Sequence, residues 1–261
     1  MTASQINQVD IGFVIDTTAS MGGLLNVAKR HLIDIVTNLS QEKQLDTQIA
    51  IVQYRDHPPQ DRSFVTRIHP FSSDQQVTQR VIHGLEAQGG GDTPEAVYDG
   101  LFTAITQLSW RPHSLRMITL IGDAIPHGYQ YPNKKVVNFD DLICHKACNL
   151  TLNKVTAAAE EQKIVIHAIA ISDDRETLDA FGRLAVATGG VCDRSNAQNA
   201  MLAIRQAIQT QFDQLDLDRR AVQLLAHSEL DIGELAEQLN INRQTAAQSV
   251  SRLAKRNLLP E

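Results

Sequence analysis

No stretch of the chain approaches the roughly 18 consecutive apolar residues that a membrane-spanning helix needs. Its first eight residues, Met1 to Gln8, hold neither the basic region nor the apolar run of a secretory signal. Cysteine is scarce: three residues, an odd number, argue against a disulfide scaffold. These absences lead to the expectation of a reduced, cytoplasmic protein with no membrane partner. Positive charge is also short, with 24 Lys and Arg against 30 Asp and Glu and a net charge of −6. From Asp218 onward six basic residues balance six acidic ones, so the whole deficit lies before that point. The body therefore does not read as a polyanion binder, and any contact with nucleic acid must come from local clustering in the tail.

What is present is ordinary for a globular protein. The 261 residues, 43% hydrophobic and 21% charged, suffice for one large α/β domain and a small appendage. The mostly apolar stretch 9–15 reads as a strand buried on both faces. Leu24, Leu25, Ala28, Leu32 and Ile35 then recur at helical spacing. Further strands are expected over 48–54, over 64–71 at an edge, and over 115–121, 164–171 and 190–193. Helices are expected over 73–83, 140–162, 174–188 and 196–215. One more helix should open with Pro94 in its first turn. The irregular connection over 124–138 is longer than connections usually are without a function. The alternation predicts an α/β fold: a Rossmann-like, doubly wound, mostly parallel sheet covered on both faces.

The first strand ends abruptly in Asp16, Thr18 and Ser20, all bearing oxygen. Hard cations such as Mg²⁺ and Ca²⁺ take oxygen ligands. Asp123 stands at the carboxyl end of another strand, and Thr93 follows the permissive run Gly89, Gly90 and Gly91. Ligands of open α/β sheets sit outside the carboxyl ends of the strands. The topology should thus gather Asp16, Thr18, Ser20, Thr93 and Asp123 into one crevice. Ser20 or Thr93 alone would be read as a helix cap; the five together point to a metal site.

These residues resemble the von Willebrand factor A domain. Its metal-ion-dependent adhesion site has the pattern Asp-x-Ser/Thr-x-Ser, then a distant Thr, then a distant Asp. Four blocks in order are similar to the A domains found beside alpha-kinases: residues 16–21, 54–57, 89–96 and 123–128. The resemblance covers roughly 8–212. It implies Mg²⁺, with Mn²⁺ or Ca²⁺ as alternatives. It also implies direct metal contact from Thr18 or Ser20, water-mediated contact from Asp16 and Asp123, and a switching contact from Thr93. A cation with few direct carboxylates would accept an acidic side chain from a protein partner. Ala19 stands where the subgroup has glycine, and Ile125 where a second proline is usual. No glycine-rich phosphate loop with a following lysine is present, so phosphotransfer is not implied.

Other groups leave alternatives open. Cys144 and Cys148 lie one turn apart on a predicted helix, and His113 and His127 are the nearest candidates to complete a zinc site with them. Inert buried cysteines are the other reading, and Cys192 reads as core. The loop Arg55, Asp56 and His57, with His127 and Tyr129, either packs over the site or selects a partner. A His/Asp pair also admits metal-assisted hydrolysis. No serine or cysteine is placed as an activated nucleophile, so the expectation is a non-enzymatic binding protein.

After a linker at 213–217, the segment 218–261 reads as a small all-α domain. Leu235, Leu239, Ile241, Thr245, Val250 and Leu253 resemble the helix-turn-helix of winged-helix bacterial regulators. That resemblance implies base contacts from Arg243, Gln244, Thr245 and Gln248, and phosphate contacts from Arg252, Lys255 and Arg256. The chain stops where a wing would begin, so docking or dimerisation is the alternative to duplex DNA. The combined expectation is a metal-dependent adaptor or transcription regulator.

Overall fold

The computed structural model describes residues 6–41, 45–130, 148–194 and 197–259. Strands β1 (Gln8–Asp16), β2 (Asp46–Tyr54), β3 (Thr66–Ser72), β4 (Leu115–Gly122), β5 (Ile164–Ala170) and β6 (Cys192–Arg194) form one sheet. Their order is β3-β2-β1-β4-β5-β6. Every pairing is parallel except β2 with β3, which is antiparallel at the edge. The chain order reverses at β1, which lies between β2 and β4. A crevice at the carboxyl end of a sheet belongs at such a reversal.

Helices α1 (Gly22–Gln41), α2 (Gln75–His83), α3 (Val97–Gln107), α4 (Leu152–Glu161), α5 (Arg175–Ala187), α6 (Ala197–Leu225), α7 (Ile232–Leu239) and α8 (Arg243–Lys255) cover the sheet or extend from it. Side chains of β1 alternate between its faces. Val9, Ile11, Phe13 and Ile15 join the core with α1 and α6. Val14 joins the opposite core, built with α3, α4 and α5. Each such side chain, buried in full, contributes roughly 1.5–3 kcal/mol. No helix among the described residues is long and apolar enough to cross a membrane.

Several boundaries differ from expectation. Pro94 lies ahead of α3, which begins at Val97, because residues 95 and 96 bond to other segments instead of starting a helix. The helix expected from 140 to 162 lies partly outside the described residues. Its described part restarts at Leu152, since Asn149 takes a left-handed φ of 51° and Thr151 caps the new helix. The expected linker at 213–217 is helical and lies inside α6.

The tail has the expected helices, joined by a turn at Asn240, whose φ of 55° ends α7, and Asn242, whose side chain caps α8. Leu235, Leu239, Ala246, Leu253 and Leu258 join the same apolar cluster as the α1 face of the sheet. Buried Asp218 accepts from Ser249 Oγ at 2.6 Å and from Arg252 Nη2 at 2.6 Å. Arg256 is buried and donates to the carbonyls of Ile6 and His113, both at 2.9 Å. The tail helices thus continue the sheet's core.

His167 on β5 is buried, and its Nδ1 accepts from the Val191 N–H at 3.3 Å. Its Nε2 makes no hydrogen bond among the described residues. Burial pulls the imidazole down from 6.5 to about 4. Between those values the unfolded chain takes up a proton that the folded chain refuses. Stability should fall as pH drops through that window, by at most ~3 kcal/mol from this group. Urea unfolding near neutral pH and near pH ~4.5 checks this: His167→Gln should lose less stability on acidification than the native chain. Equal losses would assign the acid sensitivity elsewhere.

Candidate metal centre

Asp16 is the last residue of β1 and is fully buried. Its Oδ1 accepts from the Thr18 N–H at 2.8 Å and the Thr18 hydroxyl at 2.6 Å. Thr18 Oγ1 lies 3.1 Å from Ser20 Oγ. Asp123 follows β4 directly, one strand away, near enough to Ser20 for its hydroxyl to favour the charged carboxylate. Thr18, Ser20, Thr93 and Asp123 line one open cleft of about 360 Å³, with Gly89 to Asp92, Glu95 and Ala124. Asp16 does not line the cleft and meets it through its bonds to Thr18. Four of the five sequence-predicted residues thus line one cleft, and the fifth is bonded to one of them.

Backbone bonds hold the separate loops together. The Ala19 N–H donates to Gly89 O, and the Gln88 N–H to Thr17 O, both at 3.0 Å. The Glu95 N–H donates to Ile125 O at 2.9 Å, and the His127 N–H to Glu95 O at 3.0 Å. The first pair ties the glycine loop to the Asp16 turn. The second ties the Thr93 segment to the Asp123 loop. Gly90 has φ 73°, and a Cβ there would stand 3.0 Å from Glu95 Oε1 and 3.1 Å from Thr18. Ala19 opens a short 3₁₀ turn and is not among the residues with left-handed φ. Its substitution for glycine introduces no backbone strain.

The electrostatics are unbalanced. Asp16 Oδ2, Asp123 Oδ1 and Glu95 Oε2 are buried without hydrogen bonds among the described residues. Burial, then the charge of Asp123, pushes the Asp16 carboxyl up to about 7. Glu95 is pushed up to about 10 by burial and then by Asp16, Asp56, Asp123 and Asp92. Burial likewise raises Asp123. Orphaned oxygens, hydroxyls and converging carboxylates are a donor set that fits a hard divalent cation. Glu95 was not picked out as a site residue from sequence. Its inward aim depends on the backbone bridge to residues 125–127, which no local pattern reveals.

The loop after β2 packs rather than projects. Arg55 donates to Ser63 Oγ at 2.9 Å and Glu86 O at 3.2 Å, and lies over the Phe64 ring. Buried Asp56 pairs with His127 at 2.6 Å, and His57 with Asp99 at 3.0 Å. Tyr129 donates to Asp179 at 2.6 Å. Of the zinc candidates, Cys144 lies outside the described residues. His113 rests against Arg256 O at 3.1 Å, and Cys192 is half-buried on β6.

Of the residues assigned to DNA, Arg243, Gln244, Gln248 and Lys255 are exposed, and Thr245 is half-buried with its hydroxyl on Asn242. Arg252 and Arg256 depart from expectation. Their guanidinium groups are held by Asp218 and by backbone carbonyls, because inside the shared core these are the partners within reach.

Gly122 lets β4 pass Tyr54 closely: a Cβ there would meet the Tyr54 hydroxyl oxygen at 2.1 Å. Gly122→Ala should cost about 1–3 kcal/mol by overpacking. Gly23, with nothing within 4 Å, is the control, and Gly23→Ala in α1 should be neutral or stabilising by up to about 1 kcal/mol. Chemical unfolding of both variants checks the difference, and equal effects would refute the packing assignment.

Comparison with known proteins agrees with this geometry. The alpha-protein kinase vwkA of Dictyostelium discoideum is 30% identical over 124 residues, 47% of this chain and 19% of that protein. A putative ariadne-like RING finger protein of Acanthamoeba polyphaga mimivirus is 36% identical over 88 residues, 34% of this chain and 8% of that one. The chain thus spans less than a fifth of either relative. Among solved structures, proximal thread matrix protein 1 of the mussel byssus, seen with a zinc-occupied MIDAS motif, has a TM-score of 0.55 at 15% identity, covering 80% of this chain and 47% of that one. The pilus adhesin SpaC of Lactobacillus rhamnosus GG reaches 0.57 at 12% identity, over 78% of this chain and 30% of that one. At such identities these likenesses speak for the fold. The family model of the von Willebrand factor A domain matches residues 10–197. With the sheet order, the cleft and that match in agreement, the chain belongs to the von Willebrand factor A domain family.

Proposed function

We propose that the protein is a Mg²⁺-dependent binding adaptor, not an enzyme, that captures an acidic side chain of a protein partner in the cleft. The observation that carries this reading is the donor set. Thr18, Ser20 and Thr93 line the opening beside Asp123, and buried Asp16 accepts from Thr18. Asp16, Thr18, Ser20, Thr93 and Asp123 would hold the cation, which supplies a coordination position for an incoming carboxylate. The chain's own residues position that event. Thr18 is fixed by Asp16, and Ser20 Oγ lies 3.1 Å from Thr18 Oγ1. The zinc-occupied motif of the mussel protein supports a divalent cation at this motif.

Metal-assisted hydrolysis is the rival reading: with His57 and His127 engaged by Asp99 and Asp56, it would draw its base from the cleft's own carboxylates, such as Glu95. Metal-dependent turnover of a generic ester or phosphoester would favour it over binding.

Thermal unfolding with and without Mg²⁺ tests the proposal. At 100 times its dissociation constant a ligand stabilises by about 2.7 kcal/mol. The native chain should show that gain and Asp16→Ala should not. An unchanged unfolding curve in saturating Mg²⁺ and Mn²⁺ would overturn the reading. A pull-down comparing the native chain with Asp16→Ala then identifies the acidic partner.

For the tail we propose docking of a second protein segment in preference to duplex DNA. With Arg252 and Arg256 committed internally, Arg243 and Lys255 are the exposed cations left on α8. Two phosphate contacts give a log–log salt slope of about −1.8, whereas four give about −3.6. Duplex DNA retardation should be absent at about 200 mM salt, with a slope no steeper than about −1.8 if any appears at lower salt. A slope near −3.6 would restore the DNA reading.

A further inference from the structure

Outside the cleft's lining lies a second cluster that the binding mechanism does not use. His57, Asp99 and Cys148 each bring one donor atom to a point where all three lie within 4.8 Å of one another. They come from three separate segments: the loop after β2, the first turn of α3 and the residues ahead of α4. His57 Nε2 is 3.0 Å from Asp99 Oδ2, and the imidazole is buried. Asp99 and Cys148 are half-buried. The His57 ring is further held edge-on by His127, with centroids 5.2 Å apart at 78°. His127 is itself fixed by Asp56 at 2.6 Å.

We propose that His57, Asp99 and Cys148 form a second metal site, built for zinc or a similar thiophilic divalent cation and distinct from the oxygen-lined cleft. One nitrogen, one sulfur and one carboxylate oxygen are donors that zinc accepts together, whereas Mg²⁺ and Ca²⁺ seek oxygen alone. Tetrahedral zinc, at about 2.0–2.3 Å from each donor, spaces its ligands roughly 3.3–3.6 Å apart. The His57–Asp99 pair already stands near that spacing. Closing the rest needs about 1 Å of side-chain movement, well within the reach of side-chain rotation. The His57 ring is oriented here by packing against His127, which Asp56 fixes, and by the Asp56 bond to the His57 backbone N–H. Three protein donors leave one tetrahedral position open, as in zinc sites that bind water or an exchangeable ligand. Such a site would clamp the loop after β2 to α3 and to the segment before α4. Glu95, just ahead of α3 and four residues before Asp99, lines the cleft, so the clamp would stiffen that part of its wall.

The test uses the full chain stripped of metal by a chelator and refilled with Co²⁺ in excess Mg²⁺. The Mg²⁺ keeps the oxygen cleft occupied. A thiolate-to-cobalt charge-transfer band should grow in the near ultraviolet, saturate at about one equivalent and disappear when zinc is added. Cys148→Ser should abolish the band, and Asp99→Asn should weaken Co²⁺ affinity by ~10-fold or more. Circular dichroism establishes that both variants are folded, and the native titration is decisive by itself. Asp16→Ala, which disables the cleft, should leave the band unchanged. Absence of the band in the native chain, its survival in Cys148→Ser, or its loss in Asp16→Ala would each overturn the proposal. Because the signal depends on sulfur, failure of the Mg²⁺ reading would leave this result untouched.

Discussion

Asp16 ends a strand that is hydrogen-bonded on both edges and covered on both faces. That strand cannot yield without breaking two ladders and two apolar cores. A carboxylate at its end is therefore held in a low-dielectric position that it would not choose in water. Asp123 arrives beside it on the neighbouring strand, and Glu95 is pressed into the same region by its bridge to the Asp123 loop. The cores fix the carboxylates, the carboxylates repel one another, and Thr18 and Ser20 offset part of the cost. A cation is the natural counterweight. The proposed metal binding would follow from a conflict that the stability of the rest of the fold enforces.

The loops express the same constraint. Gly90 brings its backbone close to Thr18 and Glu95, and its neighbour Gly89 would drive a Cβ into Asp61 at 1.8 Å. Asp61 in turn accepts from the Gly90 N–H at 3.0 Å and from both donors of Ser63. The polar loop after β2 is thus a brace under the glycine turn. Its buried Asp–His pairs carry that brace across to α3 and the Asp123 loop.

Much of this was legible in the sequence because the signals were local. Period-2 alternation and apolar runs marked the strands, and Asp16, Thr18 and Ser20 are adjacent in the chain. Thr93 and Asp123 could be added because strand ends in a parallel sheet converge. Glu95 and Asp99 were not singled out, since their inward aim arises from a backbone bridge and from packing. The restart of α4 did leave a local trace, an Asn at 149 able to take left-handed φ and a Thr at 151 able to cap. The expected linker failed for another reason. Residues 197–225 contain neither glycine nor proline, so nothing interrupts the helix when its apolar contacts pass from the sheet to the tail.

That unbroken α6 sets a phase relation between the two ends of the molecule. An α-helix advances 1.5 Å and turns about 100° for each residue. One residue added between the buried Ile208 and Ala221 of α6 would swing the face of α8 by about that angle around the rod. The apolar side chains that continue the core would then point to water. The length of this stretch is therefore not neutral spacing. Substitutions on its exposed side should be tolerated, while insertions and deletions of a single residue should not.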